Sequence, residues 1–150
     1  MHTGHYYLLN KARELGTVVA VISGNFVQRG DIAVAEKRVR AAAALRCGAD
    51  AVLELPVSYS LSTAQNFALG GISALYAAGC DTVMFGSECG DINELLTAAD
   101  ALSTNEYRTW LSEYLATGMT FAAARERAAG LKNGILSYPN NNLAVEYILA

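Results

Sequence analysis

The sequence has few of the residues on which disulfide-bonded, metal-binding and membrane-spanning proteins depend. Its three cysteines form no C-x-x-C pair, which argues against both a disulfide framework and a zinc knuckle. No apolar run reaches the roughly 20 residues of a membrane-spanning helix. No charged segment leads into an apolar one, as a secretory signal requires. We therefore expect reduced thiols, a cytoplasmic location, no metal site and no membrane partner.

Positive charge is also scarce. The chain has 11 lysine and arginine residues against 14 aspartate and glutamate residues, a net charge of −3 and a pI near 5.3. Such a chain is a poor candidate for binding nucleic acid by itself, and we expect no DNA partner. Apolar residues are abundant instead, at 53% of the chain, and the mean hydropathy is +0.23. At 150 residues, this composition predicts a folded domain with a buried core.

The first half of the chain alternates between two hydrophobic patterns. Short, mainly apolar runs predict strands at residues 17–22, 51–55 and 82–85. The β-branched run at 17–22 is typical of a strand buried on both faces. Apolar residues with helical spacing predict helices that end at glycines, at residues 4–15, 34–47 and 62–78. This alternation indicates an α/β fold, a Rossmann-like doubly wound parallel sheet.

Beyond the third predicted strand the pattern is mainly helical. Capping-box sequences begin at Asp91 and Ser103, and each predicts the start of a helix. A further helix near 119–129 is expected to end at Gly130. Asn140 is expected to cap a last helix from the next residue onward.

The first predicted helix has no strand before it, although phosphate-binding helices normally follow one. The simplest interpretation is that the first strand of the sheet lies upstream of Met1 and is missing here. We therefore predict one partial nucleotide-binding domain over residues 1–150, in which 91–150 is a mainly helical continuation.

The motif H-x-G-H, formed by His2, Thr3, Gly4 and His5, stands at the start of the first predicted helix. Residues three apart share a helix face, so both imidazoles can reach one ligand. The free N–H groups of a helix start favour anions, and Gly4 lets a ligand approach the backbone. The pattern indicates imidazoles that donate to phosphate oxygens. An incidental histidine pair, or a weak metal site short of ligands, is the alternative.

A polar loop follows the first predicted strand, from Ser23 to Gly30. It carries Asn25, Gln28 and Arg29, and such groups at the carboxyl end of a parallel strand suit a phosphate, a carboxylate or a base edge. An ordinary strand-to-helix connection is the alternative. The next predicted helix adds three cations, Lys37, Arg38 and Arg40. A basic cluster of this kind can bind phosphate but is more often a solvated face.

Two later segments also suit a nucleotide. Gly86 follows the third predicted strand, where a missing side chain lets a flat ring such as adenine lie against the backbone. A plain turn glycine is the alternative there. Asn140, Asn141 and Asn142 stand at the start of the last predicted helix. One amide is expected to cap that helix, and a second would be free to contact a ligand at its positive end.

In this order the segments resemble the bacterial tRNA(Met) cytidine acetate ligase family, part of the H-x-G-H nucleotidyltransferase-like superfamily. The most specific segment is Ser-Gly-Asn-Phe-Val-Gln-Arg-Gly at 23–30. Supporting segments are Lys37 and Arg40, Val-Leu-Glu-Leu-Pro at 52–56, Phe-Gly-Ser-Glu at 85–88 and Pro-Asn-Asn at 139–141. The resemblance covers the whole chain. In that family a strand ending in Asn-Pro-Phe precedes the first histidine and a long segment follows, so the resemblance implies a truncated member.

The resemblance implies a two-step reaction. Acetate attacks the α-phosphorus of ATP to give acetyl-adenylate, and N4 of the wobble cytidine of elongator tRNA(Met) then takes the acetyl group. By the family pattern, His2 and His5 are catalytic and bind ATP together with Thr3, Gly4, Gly86 and Asn140. Candidate contacts to substrate or phosphate are Ser23, Asn25, Gln28, Arg29, Lys37, Arg40 and Asn141. ATP is expected to bring Mg²⁺, and most tRNA contacts are expected outside this chain.

Two other interpretations stay open. A nucleotidyltransferase that adenylylates a phosphorylated metabolite shares the fold and the H-x-G-H motif, although the 23–30 loop and the Pro-Asn-Asn segment argue against it. An inactive nucleotide-binding remnant would bind ATP without turnover.

Overall fold

The structure is a computed structural model that describes residues 1–28, 30–131 and 134–150. Arg29, the guanidinium predicted in the loop after the first strand, lies outside the described residues. The chain divides into two compact units, Met1–Phe85 and Gly86–Ala150. None of the described helices is long and apolar enough to cross a membrane.

The first unit is built on two parallel strands, β1 (Val19–Ser23) and β2 (Ala51–Leu55). Val19 pairs with Ala51 and Ser23 with Leu55, so both strands end at the same edge of the sheet. The described residues of this unit also form α1 (Thr3–Arg13), α2 (Lys37–Arg46), α3 (Val57–Ser60) and α4 (Ala64–Ala77). Helices alternating with parallel strands confirm the predicted α/β class. The short helix α3 was not predicted, because four residues are too few to show a helical period.

Small and branched apolar residues bring α1 and α2 against the sheet. Leu9 of α1, Val18, Ala44 of α2 and Ala49 form one buried cluster, and Ala44 is fully buried. Asp50 fixes the start of the sheet, because its Oδ2 accepts the N–H of Val18 at 2.8 Å. The N–H of Asp50 donates in return to the Val18 carbonyl, also at 2.8 Å. The register set here carries the two strand ends, and the loops after them, to one place.

The prediction of a third strand at residues 82–85 is wrong. The sheet in the described part of the chain has two strands, and Val83 and Met84 are 40% and 36% exposed. A β-branched sequence reports how well side chains suit a pleated, buried surface, whereas a strand exists only when a neighbour supplies its hydrogen bonds. Among the described residues no segment pairs along this stretch in a sheet. The expectation of a strand upstream of Met1 stays a prediction.

The second unit is helical in its described residues. These form α5 (Ile92–Ser103), α6 (Asn105–Ala116), α7 (Phe121–Ala129), a 3-10 turn (Ile135–Ser137) and α8 (Pro139–Leu149). Its buried apolar residues come from all four of these helices and from the 3-10 turn. Each is at most 8% exposed: Leu95, Ala98, Ala99, Leu102, Tyr107, Ala124, Ile135, Ala144 and Val145.

Side-chain caps begin two of these helices where capping boxes were predicted. Asp91 accepts the N–H of Asn93 at 2.8 Å and confirms the predicted start of α5. The cap of α6 is Thr104 and not Ser103, so that prediction is wrong by one residue. Threonine has the same capping chemistry as serine, and the sequence pattern alone did not separate the two. Gly130 ends α7 in the left-handed conformation, as predicted.

A buried ion pair joins two helices of the second unit. Arg125 of α7 and Glu146 of α8 are 5% and 4% exposed. The Nη2 atom of the guanidinium lies 2.5 Å from Oε1 of the carboxylate. This contact is close but poorly aligned, because neither atom makes a hydrogen bond to a described group. Each charge is therefore compensated mainly by the other, because burial removes the water that would otherwise solvate it.

Candidate functional site

The two histidines form the start of α1. His2 is the N-cap residue, and its Nδ1 accepts the N–H of Gly4 at 3.1 Å. His5 Nδ1 accepts the N–H of His2 at 3.3 Å. The ring centroids lie 3.8 Å apart with an angle of 38° between the ring planes. Two imidazoles thus satisfy N–H groups that a helix start leaves without partners.

These hydrogen bonds assign the proton on each ring. A nitrogen that accepts a backbone N–H carries no proton, so a neutral ring bears its proton on Nε2. Partial burial, the nearby His2 and the amino terminus hold the pKa of His5 below its usual value, which favours the neutral ring at pH 7 although much of its surface stays exposed. Both side chains are exposed. The helix start therefore offers a ligand an Nε2–H donor on each of two neighbouring rings.

Gly4 is needed for the arrangement of the rings themselves. A Cβ atom at Gly4 would lie 3.1 Å from Cε1 and 3.2 Å from Nδ1 of His2, closer than carbon atoms normally pack. The missing side chain lets the His2 ring fold back over the helix start. Thr3 is exposed between them as the first residue of α1.

The loop after β1 is held by two residues of α2, Arg40 and Lys37. Arg40 donates through Nη2 to the carbonyls of Ser23, at 2.8 Å, and of Gly24. Its Nε donates to the Ala35 carbonyl at 3.0 Å. Asn25 Oδ1 accepts the N–H of Lys37 at 3.4 Å, which ties the loop to the start of the same helix. Gln28 lies half-buried in the same loop.

Lys37 also binds a carboxylate, that of Glu54, which was not predicted as a site residue. Its Nζ lies 2.9 and 2.8 Å from the two oxygens of Glu54, at the end of β2. A Cβ atom at Gly24 would overlap the Glu54 carboxylate, so the glycine leaves room for it. Gly24, Asn25, Phe26, Glu54 and Val57 line a cavity of about 180 Å³. The structure thus brings together the predicted residues Ser23, Asn25, Lys37 and Arg40.

Because Arg40 donates to carbonyls on both sides of the loop, Arg40→Lys is expected to lower the free energy of unfolding by about 1–3 kcal/mol. A lysine has one nitrogen and cannot reproduce the fork. Urea denaturation followed by circular dichroism measures the change. Arg46→Lys in the last turn of the same helix is the matched control, since that side chain is exposed. Equal destabilisation by both changes would contradict the bracing role of Arg40.

Glu88 and the start of α8 form the polar centre of the second unit. Glu88 Oε1 accepts two hydrogen bonds from Asn140, one from the backbone N–H at 3.1 Å and one from the side-chain Nδ2 at 2.9 Å. Oε2 accepts the N–H of Asn141 at 2.7 Å. In return, Asn141 Oδ1 accepts the N–H groups of Glu88, at 2.8 Å, and Cys89, at 3.1 Å. The loop and the helix start are therefore joined by five hydrogen bonds, the Glu88–Asn140/Asn141 clasp.

The prediction that Asn140 caps the last helix is wrong. That helix begins at Pro139 after Tyr138, which makes no side-chain cap. The carboxylate of Glu88 supplies the capping group instead, from a loop 52 residues earlier in sequence. A local capping pattern cannot reveal such a partner. Proline suits the first helical position because its absent N–H would have had no partner there.

The remaining predicted residues of the second unit differ in exposure. Asn141 is 1% exposed, and its side-chain oxygen is used within the clasp. Gly86 is exposed, and a Cβ atom there would meet no atom within 4 Å. The glycine therefore has open space beside it, as contact with a flat ring requires. The predicted ligand contacts of Gly86, Asn140 and Asn141 stay predictions.

A family model described as HIGH nucleotidyl transferase matches residues 1–150. The chain belongs to the HIGH nucleotidyl transferase family. Among curated relatives, a tRNA(Met) cytidine acetate ligase of Thermoanaerobacter sp. (strain X514) is 46% identical, over 98% of this chain and 40% of the relative. The enzyme of the same name from Caldicellulosiruptor bescii is 43% identical, over 98% of this chain and 38% of the relative. These matches confirm the family resemblance found in the sequence.

A solved structure shows the same fold. Thermotoga maritima TmcAL bound with alpha-thio ATP matches with a TM-score of 0.88 and 43% sequence identity. The match covers 99% of this chain and 40% of that one. The chain therefore spans about two fifths of the length of the relatives and structures to which it is similar.

In this HIGH nucleotidyl transferase chain, sequence reasoning missed Glu54 and Glu88 as site residues. Both lay within segments that carried the resemblance, yet a single carboxylate at a strand end or in a turn has no distinctive spacing. One signal was available for Glu54, because it is the charged residue of an otherwise apolar strand, AVLEL. Among the described residues, no cluster of histidine, cysteine, aspartate and glutamate could hold a metal ion.

Proposed function

We propose that this chain is the nucleotide-binding part of an ATP-dependent ligase that acetylates N4 of the wobble cytidine of elongator tRNA(Met). The observation that carries the proposal is the pair of imidazoles at the start of α1, each with an Nε2–H left to donate. Two relatives that are 46% and 43% identical to this chain are named tRNA(Met) cytidine acetate ligase. The solved structure of the same fold is bound with an ATP analogue.

In the proposed first step, His2 and His5 donate to phosphate oxygens of ATP while acetate attacks the α-phosphorus and pyrophosphate leaves. The donors strengthen as negative charge grows on those oxygens. Thr3 and Gly4 lie beside the phosphates, and Gly86 and Asn140 contact the nucleotide. Mg²⁺ would accompany the phosphates and neutralise part of their charge. No nucleophilic side chain is required, because acetate is itself the nucleophile.

In the second step, N4 of the cytidine attacks the acyl carbon, AMP leaves with the bonding electrons, and N4 releases one proton to solvent. Anticodon-loop bases can be splayed from the stack into a protein pocket. Candidate contacts to acetate, cytidine or phosphate are Ser23, Asn25, Gln28, Arg29, Lys37, Arg40 and Asn141. The net charge of −3 supports placing most tRNA contacts outside this chain. We place the protein in the cytoplasm, where reduced cysteines and tRNA occur together.

Exchange of radiolabelled pyrophosphate into ATP tests the first step directly. We expect exchange that depends on acetate and does not respond to phosphorylated metabolites. Exchange driven by a phosphorylated metabolite would support adenylyl transfer to that metabolite instead. Saturable ATP binding without exchange under any condition would identify the chain as a nucleotide-binding remnant.

A further inference from the structure

The Glu88–Asn140/Asn141 clasp changes what the start of α8 can bind. A helix start carries partial positive charge and free N–H groups, and it normally attracts anions. Here the Glu88 carboxylate occupies the N–H groups of Asn140 and Asn141, at 3.1 and 2.7 Å. Partial desolvation raises the pKa of Glu88, but these N–H donors more than reverse the effect and hold the pKa below its usual value. A full negative charge therefore stands at this helix start at neutral pH.

The same carboxylate determines which way the Asn140 amide is turned. An ionised carboxylate only accepts hydrogen bonds, so the atom 2.9 Å from Oε1 is the amide nitrogen. The amide oxygen is the acceptor that this arrangement leaves for a ligand, and Asn140 is exposed. The site therefore presents an acceptor beside a negative charge, an arrangement that repels phosphate and suits a hydroxyl or an amine.

We propose that Glu88 is a positioning residue that fixes Asn140 so that its side-chain oxygen accepts from a donor of the nucleoside, a sugar hydroxyl or the base amine. This deepens the proposed function and rests on it, because it supposes that Asn140 contacts ATP. It assigns Asn140 to the nucleoside and excludes it from the phosphates. Gly86, in the same loop as Glu88 and with open space beside its backbone, supports a nucleoside at this place.

Glu88→Gln tests the positioning role, because glutamine has the same shape without the charge. One of its terminal atoms is a donor and cannot accept from the N–H groups that the carboxylate holds. Calorimetric titration of the whole chain with Mg-ATP is expected to show affinity lower by about three- to tenfold, the effect of one neutral hydrogen bond. Affinity for inorganic tripolyphosphate should stay the same or rise, since a negative charge has been removed.

A double-mutant cycle separates an effect of Glu88 through Asn140 from a general effect of Glu88 on the stability of the fold. Asn140→Ala should weaken Mg-ATP binding to a similar degree. Adding Glu88→Gln to that variant should cause no further loss of Mg-ATP affinity, because Glu88 acts through Asn140. Glu94→Gln is the matched control, since Glu94 is exposed in the first turn of α5. It should leave both affinities unchanged. ITP and deoxy-ATP titrations identify the donor, because ITP lacks the base amine and each deoxy-ATP lacks one sugar hydroxyl.

Equal losses for ATP and tripolyphosphate, or additive losses in the double variant, would overturn the positioning role. If the wild-type chain binds neither ligand, the proposed function fails for this chain. The positioning role is then decided by the NMR signals of the Asn140 side-chain amide. Those signals should shift in Glu88→Gln and stay in place in Glu94→Gln. Unchanged signals in both variants would overturn it.

Discussion

Replacing Arg125 with alanine is expected to lower the free energy of unfolding of the helical unit by about 3–5 kcal/mol. The change leaves the carboxylate of Glu146 4% exposed without its partner charge. A buried charge without a partner is costly, whereas the intact pair roughly cancels its own desolvation. Glu146→Ala should be equally damaging, because it leaves the guanidinium unpaired.

Urea denaturation followed by tryptophan fluorescence measures this effect. The chain has one tryptophan, Trp110 in α6, which is 50% exposed and lies in the same unit. Urea is uncharged and adds no ionic strength, so the charges on the surface of the protein are the same at every urea concentration.

The matched control replaces both partners, as Arg125→Met with Glu146→Leu. We expect this double variant to be within about 1 kcal/mol of the wild type or more stable, since apolar side chains often replace a buried pair without loss. Additive destabilisation by the two changes would show that each side chain matters for its packing and not for the charge of the other.

The elements predicted correctly from the sequence are those that a local pattern of residues defines. The mainly apolar runs of β1 and β2, and the glycine after α7, need no distant information, and each was predicted close to its observed place. Residues 82–85 have the same character as β1 but are not a strand. Their side chains suit a sheet, but the hydrogen bonds of a strand come from a neighbour.

In the candidate site too, contacts between residues close in sequence were predicted and contacts between distant residues were not. The rings of His2 and His5 were predicted together, because residues three apart in sequence meet on one helix. The clasp was not predicted, because Glu88 and Asn140 are 52 residues apart and neither has a pattern that names the other. The same holds for Lys37 and Glu54, which are 17 residues apart and meet because the start of α2 lies beside the end of β2. The sequence therefore predicted the residues of the local motifs, but not the carboxylates of Glu54 and Glu88 that bind Lys37 and Asn140.

If the Nε2–H groups of the two histidines bind phosphate, His5→Ala is expected to weaken Mg-ATP binding by about 10- to 150-fold, the effect of a hydrogen bond to a charged group. The variant removes a donor and also removes the acceptor for the N–H of His2. Alanine alone therefore cannot separate a lost ligand contact from a frayed helix start.

His5→Asp makes that separation. An aspartate at this position can still accept the N–H of His2, and a negative charge in the first turn stabilises a helix. It has no donor and repels phosphate. Calorimetry should therefore show Mg-ATP binding weakened at least as much as in His5→Ala, while circular dichroism shows the helix retained and adenosine affinity is unchanged. If His5→Asp binds ATP as the wild type does, the imidazole serves only to cap α1, and the phosphates are held elsewhere.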